Sequence, residues 1–296
     1  MKDNNTNPVK EQDDFTAFKE SLLCAVRSEL ARRGLPSDLM EQDVLLPGKH
    51  YRGVSAAGAG QAGAVVNLNL LYGEFNGTNL PEMAAKAADV LTRKADIEDP
   101  AVWIRDYSEV RKRLFARLIN AERNRALLEA IPHRLIADLA IIYCAEVQAE
   151  DGMLASVTLR SENLAWYGVT EKDLYREAIE NMRAMNDWQV ASLSHMVGIA
   201  EDICPATVLT GRTRPNGAAN ILIPEVQEEL TGIYGQKFLI LPSSINEVIC
   251  LPYDEAHAEE FSRLVWHVNR ILVEPSEILG ENAIVFDHGT FTECMP

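Results

Sequence analysis

The residues of this chain that could do chemistry form a polar group spread over two segments. Three of them, His133, Asp138 and Ser243, have the side-chain types of a base, a carboxylate and a nucleophile. A serine becomes nucleophilic when a base lies within hydrogen-bond distance and a third group orients that base. Together in a pocket they would suit a hydrolase or a nuclease-like enzyme. The candidate cluster is Asn120, Asn124, His133, Asp138, Ser243, Ser244, Asn246 and Glu247.

Each of these residues also has a structural interpretation, which the residue pattern favours. Ser243 and Ser244 follow Pro242 in a predicted turn, where their hydroxyls would bond to the turn backbone. Asp138 interrupts an apolar strand pattern and must find a partner, for which His133 and Arg134 are the neighbouring candidates. The sequence therefore assigns no catalytic residue. It leaves enzymatic activity open, although the residue pattern favours a protein without such activity.

Signatures of cofactors and metals are weak. Residues 58–63 match the G-x-G-x-x-G pattern, but the strand before it and the helix after it that a dinucleotide site needs are missing from the pattern. The histidines do not pair at i, i+4, and the five cysteines contain no C-x-x-C pair. We predict no cofactor, no metal, buried thiols at Cys144 and Cys250, and a reducing cytoplasm as the compartment.

Charge restricts the partners. The net charge of −16 disfavours binding to anionic membranes and nucleic acid, although an acidic chain could also mimic nucleic acid. One basic segment stands out, and it could meet an acidic partner. Few aromatic residues accompany it, so pairing with the chain's own acidic residues is the favoured explanation. The predicted basic face is Arg111, Arg113, Arg117, Arg123 and Arg125.

The N-terminal half contains predicted helices and one predicted strand. Met1–Asp14 is polar and is predicted to be a disordered tail. Apolar residues from Phe15 to Leu30 recur at helical spacing, and the alternation over 64–72 predicts a strand. Pro81 opens a second helix. The capping-box spacing of Asp106 and Glu109 predicts a third, although residues 114–119 could equally form a strand.

The C-terminal half predicts strand-strand-helix units. Strands are expected over 135–147, 153–159, 206–210 and 218–223, and on both sides of the 242–244 turn. Helices are expected over 121–130, 170–183, 224–233 and 256–272. This order predicts an α+β fold with an antiparallel or mixed sheet and helices packed on it. The predicted regions are 15–125 and 126–296, or one continuous domain over 15–296.

Six segments, taken in order, carry a family pattern: residues 118–124, 131–133, 138–143, 240–248, 273–279 and 284–287. Together they resemble a bacterial family of unknown function, DUF5688. The similarity covers most of the chain from about Asn67 onward, and one residue departs from it: Asn246 stands where the family pattern suggests histidine. The resemblance implies a cytoplasmic bacterial protein and attaches no reaction to it.

The function predicted from these features is binding. A full-length globular chain without an assembled catalytic signature favours an interaction module, whose target is a protein partner or a second copy of the chain. The alternatives are the hydrolase or nuclease-like enzyme and the acidic mimic of nucleic acid.

Overall fold

The chain divides into two compact units. The structure is a computed structural model that describes residues 8–56, 64–92, 99–147, 155–198 and 205–294. Unit 1 spans residues 1–101 and unit 2 spans residues 102–296. The boundary predicted after residue 125 lies inside unit 2, because the strand just before it pairs with a strand just after it.

Unit 1 packs helices on a small antiparallel sheet of order β1-β2-β3. Phe18, Leu22 and Val26 form the buried stripe of the first helix, and they pack in one core with Val54 of the sheet. A helical stripe at this spacing is stabilised because it removes apolar surface from water on one face. The elements are α1 (Pro8–Arg32), β1 (Leu39–Leu46), β2 (Lys49–Ala56), β3 (Val65–Asn67), α2 (Leu68–Glu74) and α3 (Leu80–Thr92).

Two predictions for unit 1 need correction. Helix α1 begins at Pro8 and includes residues 8–14, which were predicted as part of the disordered tail; residues 1–7 lie outside the described residues. The strand predicted over 64–72 stops at Asn67, whose side chain accepts a hydrogen bond from the Leu70 N–H and caps α2. The glycine motif at 58–63 lies outside the described residues.

Unit 2 is built from two sheets and the helices packed on them. Its 3₁₀ segments include Arg111–Arg113 and Gly217–Leu222. The remaining elements are α4 (Tyr107–Val110), β4 (Leu114–Asn120), α5 (Arg125–Leu128), β5 (His133–Ile136), β6 (Leu139–Val147), β7 (Ala155–Thr158), α6 (Ser161–Tyr167), α7 (Glu171–Met185), β8 (Trp188–Ser192), α8 (Leu193–Val197), β9 (Thr207–Gly211), α9 (Pro224–Tyr234), β10 (Lys237–Ser244), β11 (Glu247–Pro252), α10 (Ala258–Ile271), β12 (Ala283–Asp287) and β13 (Thr290–Cys294).

Both sheets of unit 2 are antiparallel. In the first, β6 pairs with β4 on one side and with β5 and β7 on the other; the second has the order β13-β12-β10-β11-β9-β8. Strand β10 is buried on both faces. On one face its Leu239 shares a core cluster with Val265 of α10, and on the other its Phe238 stacks on Phe286 and contacts the tilted ring of Tyr234. No described helix is both long and apolar enough to cross a bilayer. The α+β prediction is confirmed.

Within unit 2, local patterns identified several elements and misread others. Thr170 and Asp173 form the predicted capping box at the start of α7, and Cys144 and Cys250 are buried as predicted. Residues 135–147 form the hairpin β5–β6 rather than one strand. The strand predicted over 218–223 is wrong, because the run follows Asn216 at a φ of 65° and coils into a 3₁₀ helix. The second strand-strand-helix unit therefore has one strand.

Further differences concern shorter or undetected elements. The predicted helix over 121–130 contracts to the single turn of α5, whereas residues 114–119, left open between helix and strand, form β4. Elements α6, β8, α8, β12 and β13 had no predicted counterpart, and neither had β1 and β2 of unit 1. The hairpin β10–β11 of the second sheet was predicted, but its turn is at residues 245–246, and residues 242–244, predicted as the turn, form the end of β10. Strands β9 and β12 pair with the hairpin on its two sides.

Candidate functional site

Asp138 lies in the two-residue turn between β5 and β6. Ile136 pairs with Leu139, and Ala137 turns the chain with a φ of 50°, in the left-handed region. Oδ2 of Asp138 accepts a hydrogen bond of 2.7 Å from the Glu281 N–H, while Oδ1 is buried and has no hydrogen-bond partner in the described structure. Burial therefore raises the pKa of Asp138 from 3.8 to about 6.

Two of the other predicted residues join Asp138. Asn120 and Asn124 are buried in the turn after β4, where the Asn124 amide donates to the Asn120 carbonyl at 2.8 Å. The side-chain oxygen of Asn120 accepts from the Arg123 N–H at 2.9 Å. This turn contacts the Asp138 turn directly, since the Ala121 N–H donates to the Asp138 carbonyl at 3.0 Å. Asn120, Asn124 and Asp138 therefore lie in adjoining segments that this backbone hydrogen bond joins.

The sequence did not predict the most connected residue of this group, Glu281. Its Oε1 accepts from Nε and Nη2 of Arg123 at 2.9 and 2.7 Å, and its Oε2 lies 3.5 Å from Nη1 of Arg270 without forming a hydrogen bond. No sequence signal identifies it, because Glu281 and Asp138 are 143 residues apart. We call Asn120, Arg123, Asn124, Asp138 and Glu281 the Asp138 cluster.

The second predicted segment forms the end of β10, the turn at residues 245–246 and the start of β11. The Ser243 hydroxyl donates to Oε1 of Glu247 at 3.3 Å, and the Ser244 hydroxyl accepts from the Asn246 N–H at 3.1 Å. The Asn246 side-chain oxygen accepts from the Asn216 N–H at 3.0 Å. The Ser244 hydroxyl therefore bonds to a backbone N–H of the turn, as the structural interpretation expected, whereas the Ser243 hydroxyl bonds to the Glu247 carboxylate instead.

One segment, residues 277–281, connects the two groups. The Glu277 carbonyl accepts from the Ile245 N–H in the turn at 3.0 Å, while the Glu281 N–H donates to Asp138. Between them, a Cβ atom at Gly280 would lie 2.6 Å from Cγ of Pro242 and 3.2 Å from Oδ1 of Asp138. A glycine is thus required for Pro242 and the Asp138 carboxyl group to approach the same point of the chain.

His133 does not join these residues. It lies at the opposite end of β5 from the Asp138 turn, three residues or about 10 Å along the strand. Its Nδ1 is 3.0 Å from the Ile131 carbonyl oxygen, which Nδ1–H can donate to. Arg134, the other partner suggested for Asp138, pairs with Glu171 at 3.0 Å. Both suggested Asp138 pairings are therefore wrong, because the hairpin directs Asp138 toward residue 281.

The arrangement limits the chemistry that these side chains can do. No described hydrogen bond joins Ser243 to a histidine, so the hydroxyl faces only the Glu247 carboxylate. Asp138 is able to hold a proton near neutral pH, but its free oxygen faces Pro242 and Gly280. Within the described ranges, no three His, Cys, Asp or Glu residues are grouped so as to hold a metal ion.

The five arginines predicted as a basic face bond to different elements of unit 2. Arg111 pairs with Glu177, Arg123 with Glu281 and Arg125 with Glu122, so pairing with the chain's own acids accounts for these three. The guanidinium of Arg113 lies over the Trp103 ring at 4.6 Å. Arg117 differs from the others and donates to the Ser156 hydroxyl at 3.2 Å.

Asn246 offers a test of the second turn. Asn246→Ala removes the acceptor of the half-buried Asn216 N–H, and we expect the free energy of unfolding to fall by about 1–2 kcal/mol. Asn246→Asp keeps an oxygen in the same position and should stay close to the unchanged protein. Urea denaturation of the three proteins measures the difference. An equal loss in both variants would show that the amide nitrogen, and not the acceptor, stabilises the turn.

Comparison with protein-family models gives a match over residues 17–288, to a model described as a family of unknown function, DUF5688. The match begins earlier than residue 67, where the similarity was first noticed, and it includes both polar groups. Comparisons with the curated proteins and with the solved structures give no match.

Proposed function

This chain belongs to DUF5688, and because the family description carries no activity, we propose from the geometry of unit 2 that the protein is a binding protein. The interaction surface is the outer flank of α10, and the partner is a protein whose surface combines an apolar centre with a basic rim. The exposure of apolar side chains along this flank carries the proposal.

Helix α10 has more apolar residues than its packing on the sheet requires. Phe261, Val265 and Ala258 face the sheet and belong to its core cluster. Leu264, Ile271 and Leu272 point elsewhere, with 49%, 63% and 78% of their surface exposed to solvent. Leu264 and Ile271 are seven residues apart and so share one side of the helix, which Leu272 extends past the last turn. Clustered apolar exposure of this kind marks interaction surfaces.

Acidic side chains surround this flank. Glu260 lies one turn before Leu264, and Glu274 follows Leu272 by two residues; both are exposed, and neither forms an ion pair with a described residue. Of the two arginines of the helix, Arg263 pairs with Glu259, and Arg270 lies 3.5 Å from Glu281, a carboxylate that it shares with Arg123. The rim is therefore negative. It attracts a basic partner, whereas a second copy of a chain with a charge of −16 would be repelled.

Site-specific cross-linking identifies the partner, and a matched pair of variants tests the surface. Leu272 is replaced by p-benzoylphenylalanine, and adducts formed in native cells are identified by mass spectrometry. The identified protein is then purified and titrated calorimetrically with the unchanged chain, with I271S/L272S and with the control L135S. Leu135 is also exposed, by 60%, but lies on β5.

We expect I271S/L272S to weaken binding at least about tenfold, because it removes two apolar side chains from the buried centre. L135S should bind normally, and high salt should weaken the complex by screening the rim. Three results would overturn the proposal: no adduct at position 272, equal losses in both variants, or an adduct of twice the chain's own mass, which would identify a homodimer.

A further inference from the structure

A second surface of unit 2 contains a small cleft. It lies where strands β4, β6 and β7 meet the C-terminal end of α7 and the loop after β9, and its volume is about 70 Å³. That volume holds a few water molecules or one small polar group, since a water molecule occupies about 30 Å³ in the liquid. Its polar lining consists of Arg117, Glu146, Ser156, Asp187, Arg214 and Asn216.

Both carboxylates of the cleft already have partners. Glu146 accepts from the Arg214 guanidinium at 2.5 Å. The oxygens of Asp187 accept from the Thr213 N–H and hydroxyl at 3.0 and 2.7 Å, and from the Arg214 N–H at 3.1 Å. The two acids therefore hold the loop after β9 in place and are not available to Arg117.

Arg117 lacks a matching acceptor. Its Nη2 donates to the Ser156 hydroxyl, while its Nε is buried and has no hydrogen-bond partner within the described part of the chain. No described carboxylate lies within ion-pair distance of its guanidinium, although the chain as a whole has 44 acidic residues. A buried N–H without an acceptor is costly, and a guanidinium has donors only, so this position lacks an anion or another acceptor.

We infer that this cleft binds a small oxyanion, a carboxylate or phosphoryl group, through the Arg117 guanidinium. Planar oxygen pairs fit the fork of N–H donors on arginine, which makes arginine the preferred residue for both groups. Arg214 also lies at the wall, but its charge is offset by Glu146, so Arg117 is the cation that the anion would meet. Beside the charged groups, Phe115, Met182 and Met185 form the apolar part of the lining, and the small volume limits the ligand to a group of about the size of phosphate or acetate.

Direct titration of the full-length chain tests the site. Amide chemical shifts are followed by NMR while inorganic phosphate or acetate is added at millimolar concentrations, with chloride as the ionic-strength control. Two variants are compared, Arg117→Gln and Arg125→Gln. Arg125 belongs to the same basic segment, but it is exposed and pairs with Glu122 three residues away.

For the unchanged chain we expect phosphate or acetate to shift amides of β4, β7 and the loop at 212–217, and chloride to leave them in place. Arg117→Gln should weaken binding at least about tenfold, because it removes a charge-assisted hydrogen bond, whereas Arg125→Gln should bind normally. Binding of phosphate alone assigns a phosphoryl ligand, and binding of acetate alone assigns a carboxylate.

A second variant keeps the test decisive where Arg117→Gln fails to fold. Ala155→Leu fills the cleft from β7 and leaves the guanidinium intact, so it should also abolish the shifts. The inference is wrong where neither anion binds the unchanged chain, where chloride produces the same shifts, or where a folded Arg117→Gln or Ala155→Leu variant binds as the unchanged chain does.

Discussion

Replacing Gly217 with alanine is expected to lower the free energy of unfolding by about 3 kcal/mol or more, the largest effect of any single methyl group considered for this chain. An added Cβ atom would lie 2.1 Å from the Gly211 nitrogen and 2.7 Å from both the Asn246 carbonyl oxygen and the Thr210 carbonyl carbon. All three are backbone atoms, so a side-chain rotation cannot relieve the contact. The loop, the end of β9 and the Asn246 turn would have to move apart.

Gly232 provides the matched control. It lies in α9, and a Cβ atom there would meet no other atom within 4 Å. Gly232→Ala should therefore stabilise the protein by about 0.5–1 kcal/mol, because alanine loses less backbone freedom on entering a helix. Urea denaturation followed by circular dichroism compares the two variants. If Gly217→Ala unfolds at the same urea concentration as Gly232→Ala, the three segments are not held as closely as their distances indicate.

Raising the pH from 4 to 7 is expected to reduce the contribution of Asp138 to the free energy of unfolding by up to about 3 kcal/mol. The folded protein holds the Asp138 proton with a pKa of about 6, against 3.8 for an ordinary aspartate. Between these values the folded state binds more protons than the unfolded state, so stability falls as pH rises through the window. Two pKa units at 1.36 kcal/mol each set the upper limit.

The groups around Asp138 explain the direction of the shift. Burial of the carboxylate is the largest cause, and the negative charge of Glu293 adds to it. The N–H groups of Glu281 and Asn282 act in the opposite direction by stabilising the charged form. The two arginines nearby are held by Glu281, which leaves Asp138 without a cation of its own.

Asp138→Asn isolates this contribution from the other carboxyl groups. Its side-chain oxygen can still accept from the Glu281 N–H, and the amide cannot ionise. We expect the free energy of unfolding of the unchanged protein to fall relative to that of the variant as pH rises from 4 to 7. Asp14→Asn, at an exposed position of α1, is measured in the same way as the control for replacing an aspartate by asparagine. A constant difference for Asp138→Asn would mean that the folded protein ionises Asp138 as the unfolded chain does.

The two polar groups show how far sequence reasoning reaches in this protein. Ser243 is bonded to Glu247 and Ser244 to Asn246, because residues beside a turn satisfy one another within a few positions. Asp138 was correctly recognised as a polar residue in need of a partner, but the suggested partners were its sequence neighbours. Ala137 reverses the chain just before Asp138, and this turn exposes the carboxyl group to residue 281 instead of His133.

Features that depend on neighbouring residues could be predicted from the amino-acid sequence. Local patterns predicted the apolar stripe of α1, the capping box of α7, the hairpin β10–β11 and the burial of Cys144 and Cys250. Each follows from the periodicity of a helix or strand, or from a hydrogen bond between residues three or four positions apart.

Contacts between distant segments became visible only in the folded structure. It joined Asp138 to Glu281, brought Gly217 against the backbone of β9, and left Arg117 in a cleft whose acids are paired elsewhere. These contacts join residues that lie far apart in the sequence, and they exist only after both sheets and their helices have packed. The local periods that predict helices and strands contain no information about which distant backbone will occupy the space beside a glycine or a carboxyl group.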